Sequence, residues 1–142
     1  MKPASIADYR ALSRARVPRF LFDYTDGGSY AERTLAANER DLAGVALDQR
    51  VLVDVSRIDT AIKLLGQTLA MPVILAPVGL GGLHARRGEV QAWRAARAAG
   101  IAMALSTVSV CSLAEVTGAV GAPPWFQLYL VKDRGANAAM IA

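Results

Sequence analysis

Residues 71–82, Met71–Gly82, read MPVILAPVGLGG. This is a short apolar run that closes on Ala-Pro and a glycine-rich loop. A run of this length, bounded by proline and glycine, is expected to be a strand buried on both faces. Two more runs of the same kind follow, Ile101–Thr107 (IAMALST) and Trp125–Val131 (WFQLYLV). Each begins apolar and ends on polar side chains. A helical pattern separates each pair, so the order is β-α-β-α-β, the mark of a parallel sheet. Ligands of such sheets sit at the carboxyl ends of the strands. That rule directs attention to Ala76–Gly82, Ser106, Thr107, Gln127 and Tyr129.

The segments before this region read as helices. Ser5–Arg16 carries Ile6, Tyr9 and Leu12 at helical spacing, with Ser5 as cap and Asp8 three residues on. Pro18 opens a second helix, Arg19–Thr25, which Gly27-Gly28 stops; Phe20, Leu21 and Phe22 are its core candidates. Tyr30–Leu42 reads as an exposed helix, and Val45–Val55 alternates loosely. Thr60–Leu64 and Thr68–Leu69, around Gly66-Gln67, predict a small hairpin. Beyond the first core strand, Gly88–Ala99 is an alanine-rich helix with Val90 and Trp93 on one side, and Gly100 is its stop. Ser112-Leu113-Ala114-Glu115 is a capping-box pattern that opens a helix ending near Gly118. Lys132-Asp133-Arg134-Gly135 turns into a third helix.

Composition limits the function classes. At 142 residues and 54% hydrophobic, the chain can bury a core, which argues against disorder. Its net charge of +4 is scattered, with no block of like charges, so a nucleic-acid partner is not expected. One cysteine, Cys111, excludes an internal disulfide and reads as a core thiol in a reducing compartment. Leu64–Ala85 is uncharged for 22 residues, but two prolines and four glycines make it a poor spanning helix. No apolar segment of a secretory signal precedes Tyr9.

The glycine loop fails as a dinucleotide fingerprint. Counted from Gly79, the third glycine position holds His84, and no acid stands near Ala98–Gly100. The loop is then either a tight turn with close backbone packing or a backbone surface that a flat ring can approach. His84, the only histidine, lies beside Arg86-Arg87, and no second ligand accompanies it, so neither a base nor a metal site is assigned to it. Ser106, Gln127 and Tyr129 place polar groups at the ends of apolar strands. Their partners are either neighbouring backbone and water or a polar ligand edge. An amide such as Gln127 can donate and accept together, which suits the alternating edge of a flavin or pyrimidine.

Four blocks carry a resemblance: FLFDYTDGG, MPVILAPVGLGGLHARRGE, LSTVSVCSLAEV and PPWFQLYLVKDRG, in this order between Phe20 and Gly135. Together they resemble the FMN-dependent α-hydroxy acid dehydrogenases and oxidases, and within that family the bacterial respiratory L-lactate dehydrogenases. The resemblance implies an α/β fold, the N-terminal part of a TIM (β/α)8 barrel, with about three β/α units plus a helical lead-in. It implies one partial domain over 1–142, with 1–57 the mainly helical lead-in and 58–142 the hairpin and first three units. It implies FMN as cofactor, lined by the backbone of Ala76, Pro77, Val78 and Gly79 and hydrogen-bonded by Ser106 and Gln127. Tyr24 is implied at the substrate carboxylate and Tyr129 near its hydroxyl. The family's catalytic histidine, substrate arginine, ring lysine and phosphate loops fall after the third unit, so no catalytic residue is expected in this chain.

The implied reaction is oxidation of an L-2-hydroxy acid, L-lactate to pyruvate, with mandelate or glycolate as alternatives. A quinone or other respiratory-chain acceptor is implied, with a homo-oligomer at full length. Location on the cytoplasmic face of the inner membrane is implied, with the cytoplasm as alternative. An expectation from a different class is a truncated, non-catalytic product, because three units leave sheet edges unpaired.

Overall fold

In a computed structural model that describes residues 2–141, the chain forms two compact units, Met1–Arg57 and Ile58–Ala142. The first is helical. Helix α1 spans Ile6–Arg16, and its start is a full capping box: Ser5 Oγ accepts from the Asp8 N–H while Asp8 accepts from the Ser5 N–H. Helix α2 spans Arg19–Asp26 after Pro18, and the bidentate Arg10–Asp26 pair ties it to α1. Leu21 and Phe22 are buried as expected, but Phe20 is 71% exposed. A helix presents only one stripe to a neighbour, so three consecutive side chains cannot all face inward. Helix α3 covers Arg33–Ala43 and starts three residues later than expected. Tyr30 and Glu32 adopt left-handed backbone, and Glu32 turns its carboxylate back to the Gly28 N–H at 2.9 Å. Val45–Val55 forms no strand.

The second unit opens with a hairpin, β1 (Ile62–Leu64) against β2 (Gln67–Leu69), antiparallel. Leu65 and Gly66, both at positive φ, make the tight turn that the twist of such a pair favours. Three strands then form a parallel sheet in sequential order: β3 (Ile74–Leu75), β4 (Ala102–Ser106) and β5 (Trp125–Gln127). Between them run the single turn α4 (Gly81–His84), then α5 (Gly88–Ala98) and α6 (Leu113–Val120), with α7 (Arg134–Ile141) after β5. This is an α/β arrangement with a partial sheet.

Helix α5 is the scaffold of the unit. Val90, Trp93 and Ala96 form its buried stripe and pack with Ile101, Met103 and Leu105 and with Cys111 and Val116. The Trp93 indole N–H donates to the Ala122 carbonyl at 2.7 Å, so its one polar atom is satisfied inside the core. Gly100 ends the helix at φ +68°, and a Cβ there would stand 2.9 Å from Ala70 Cβ.

Three expected boundaries need correction. Strand β3 has two residues, and Ile74 is 39% exposed, so the stretch is not buried on both faces. Pro72 and Pro77 flank it and can donate nothing to a ladder. Strand β5 stops at Gln127 rather than Val131. The Thr107 hydroxyl takes the Tyr129 N–H at 3.0 Å, and the Asn137 side chain takes both backbone groups of Val131, so side chains replace the ladder. Helix α6 passes through Gly118 and ends before Gly121, the glycine that is left-handed at φ +78°.

Candidate functional site at the carboxyl ends of the strands

Strand alternation decides which side chains share a face. Met103 and Leu105 of β4 pack into the helical core, so Ala102, Ala104 and Ser106 point to the opposite side of the sheet. In the parallel register Ser106 pairs with Gln127, and Ala104 with Trp125. Register partners put their side chains on the same face. The Ser106 hydroxyl and the Gln127 amide therefore lie side by side at the carboxyl end of the sheet, away from the helices. Ser106 is buried to 2% exposure and its Oγ accepts from the Val108 N–H at 3.2 Å. Its O–H proton remains available to donate.

Thr107 joins the two strand ends. Its hydroxyl donates to the Gln127 carbonyl and accepts from the Tyr129 N–H. Tyr129 itself stands in the segment after β5, 48% exposed, rather than on a strand. Tyr24 lies on α2 in the first unit, 57% exposed. The 430 Å³ concavity of that unit, lined by Arg14, Arg19, Phe22 and Asp26 among others, does not include it.

Ala76, Pro77, Val78 and Gly79 follow β3 directly as irregular backbone, with Ala76 and Val78 exposed. Leu80 then takes a left-handed conformation at φ +56° and caps α4, and Arg87 does the same before α5. Non-glycine residues hold such backbone only where the surroundings enforce it, and such positions cluster at ligand-binding loops. The enforcement here is visible. The Leu80 N–H donates to the Val108 carbonyl at 3.0 Å, and Gly81 and Gly82 lie against Glu89. A Cβ on Gly82 would stand 2.7 Å from Val110 Cβ, and one on Gly88 would stand 2.6 Å from the Gly81 carbonyl oxygen. Close packing accounts for these glycines.

Glu89 is the residue that sequence reasoning missed. It is 5% exposed, and its Oε1 accepts from the Gly82 N–H at 2.8 Å and the Val110 N–H at 2.9 Å. Burial alone raises a carboxyl pKa, but the N–H groups of Val110, Glu89 itself and Gly82 outweigh it and leave the pKa below its ordinary value. The signal was present: Glu89, Trp93 and Ala96 share one helical stripe, and an acid on an apolar stripe is a buried charge in need of donors. Beside it, burial and the Glu89 charge push the Cys111 thiol up to about 11. His84 sits on α4 with Nδ1 3.3 Å from the Leu80 carbonyl oxygen, and its buried Nε2 has no hydrogen-bond partner among the described residues. Among those residues no cluster of three metal-ligating side chains occurs, and no helix is long and apolar enough to cross a membrane.

Comparison with known proteins adds the following. The family model described as FMN-dependent dehydrogenase matches residues 13–142. An L-lactate dehydrogenase of Caulobacter sp. (strain K31) is 61% identical over 132 residues, covering 93% of this chain and 35% of that protein. A crystal structure of mandelate oxidase superposes with a TM-score of 0.90 at 35% identity, covering 99% of this chain and 40% of the other. A soluble mutant of the membrane-associated (S)-mandelate dehydrogenase from Pseudomonas putida gives a TM-score of 0.88 at 32% identity, covering 99% of this chain and 40% of the other. The chain thus spans about a third of the length of the curated relatives it matches.

Proposed function

This chain belongs to the family of FMN-dependent dehydrogenases, and from that premise we propose that it supplies part of the flavin and substrate site of an enzyme oxidising L-lactate to pyruvate. The observation that carries this reading is the register pairing of Ser106 with Gln127 on the sheet face away from the helices. A hydroxyl donor beside an amide that both donates and accepts fits the alternating polar edge of an isoalloxazine ring. The irregular backbone of Ala76, Pro77, Val78 and Gly79 at the neighbouring strand end, where Ala76 and Val78 are exposed and Pro77 and Gly79 half-buried, fits the flat face of the same ring. The residues present therefore suit FMN.

When bound, FMN supplies the acceptor for the hydrogen that leaves C2 of the substrate. Ser106 and Gln127 would hold the ring edge, and Ala76–Gly79 would exclude water from one ring face. Tyr129 would orient the substrate hydroxyl and Tyr24 its carboxylate. None of the described residues is assigned as the base that removes the hydroxyl proton.

The strand order supports a barrel. Crossovers between parallel strands are right-handed, so an order that advances one strand at a time keeps its helices on one side. A doubly wound sheet reverses its order at a switch point, and these three strands contain none. We read 58–142 as the hairpin and first three β/α units of a (β/α)8 barrel, and 1–57 as its helical lead-in. We extend the reading to a respiratory-chain acceptor such as a quinone, peripheral attachment to the cytoplasmic face of the inner membrane, and homo-oligomers at full length. The membrane-associated neighbour supports the attachment.

Identity favours lactate over mandelate, since the L-lactate dehydrogenase relative is 61% identical and the mandelate enzymes are 32–35% identical. The test is a chimera in which this chain replaces the matched segment of the Caulobacter enzyme. The chimera should retain FMN and reduce a dye faster with L-lactate than with mandelate or glycolate. A folded chimera without flavin, or one that prefers mandelate, would remove the assignment.

A further inference from the structure

Glu89 lies outside the residues expected to touch flavin or substrate, yet it joins the segments that follow two of the strand ends. After β3 the chain runs from Ala76 through Gly79 into α4 at Gly81-Gly82, and after Ser106, the last residue of β4, it runs from Thr107 to Ser112. Glu89 Oε1 accepts one N–H from each, Gly82 at 2.8 Å and Val110 at 2.9 Å. The Leu80–Val108 backbone bond runs beside this tie. The fit is tight, because Gly82 has no room for a Cβ between Val110 and Glu89 Oε2. Two N–H donors on a single carboxylate oxygen fix their separation more firmly than a loop of open backbone can do alone.

We propose that Glu89 is a positioning residue: through Gly82 and Val110 its carboxylate sets the backbone of Ala76–Gly79 relative to Ser106, and so sets where flavin is held. This inference rests on the reading that those two strand ends receive the flavin. Glu89 touches neither flavin nor substrate in this arrangement. Its effect passes through two backbone amides, and a displacement of such supports by about an ångström is enough to cost binding severely.

The test builds E89Q, E89D and E89A into the full-length chimera in which this chain replaces the matched segment of the Caulobacter enzyme, strips and re-titrates FMN, and reads flavin fluorescence and the absorption band of the bound flavin. Unfolding of each variant is followed in parallel. E89Q keeps an oxygen that can accept from both amides, so its affinity should stay within about threefold and its band should not move. E89A should bind about tenfold more weakly or worse, with a shifted band. E89D, one methylene shorter, should fall between them and covers the case in which E89A does not fold. Folded E89A or E89D with the affinity and band of the parent chimera overturns the inference and leaves the flavin reading intact. A folded parent chimera that takes up no FMN overturns the flavin reading, and the inference falls with it.

Discussion

At the scale of single residues, Glu89 and Cys111 share one buried corner, and opposite chemistry follows for each. The Glu89 pKa is lowered in the folded chain, so the stability it adds is present above the unfolded carboxyl pKa. That stability is lost as pH falls through the folded value. Urea unfolding at neutral and at acid pH should show this loss, and E89Q should show less of it. E89A should cost about 2–4 kcal/mol at neutral pH, because the Gly82 and Val110 amides lose a charged acceptor. The Cys111 pKa is raised to about 11, so the thiol stays protonated at neutral pH, and it is 4% exposed. A thiol reagent at pH 8 should label the native chain far more slowly than the chain in urea. Equal rates would mean that the corner is open. Part of this was legible beforehand, since Cys111 reads as a core thiol from its apolar neighbours. The role of Glu89 was not, because its partners are backbone amides separated from it by 7 and 21 residues. Backbone donors leave no trace in a pattern of side chains.

Elements were legible where local chemistry sets them. Ser5 with Asp8 and Ser112 with Glu115 mark helix starts at the positions found, since a hydroxyl cap satisfies an amide that the helix itself leaves free. Ser112→Ala should therefore lower stability by about 1 kcal/mol, measured by thermal or urea unfolding. Gly100→Ala should cost more than the Ser112 change, because left-handed backbone and contact with Ala70 both oppose the added Cβ. Elements were misjudged where tertiary partners compete with the ladder. The Trp125–Val131 run has the composition of a long strand, but Thr107 and Asn137 take its later backbone groups. Met71–Gly82 has the apolarity of a central strand, but its prolines confine pairing to Ile74 and Leu75. Gly118 and Gly121 offer the same stop signal, and only the one that turns left-handed ends the helix. These shifts bear on the site, because they move Tyr129 off the strand while leaving Ser106 and Gln127 paired.

For the molecule as a whole, the order of the sheet and the grouping of polar side chains at one end of it are what tie fold to function. Both follow from alternation and connectivity that can be counted along the chain: strand, helix, strand, with Ser106 and Gln127 each in the last strand position. The placement of Tyr24 was carried by resemblance alone, since no periodic pattern marks a substrate tyrosine on an exposed helix. The measurement that tests the central claim most directly is FMN binding by the full-length chimera carrying this chain in place of the matched Caulobacter segment, compared with S106A and Q127A, read by flavin fluorescence quenching. Saturable binding is predicted for the parent chimera. Each substitution should weaken it several-fold, about 1 kcal/mol per lost hydrogen bond, without loss of folded structure. Binding of equal strength in all three proteins, or none in the parent, would contradict a flavin site at the ends of β4 and β5.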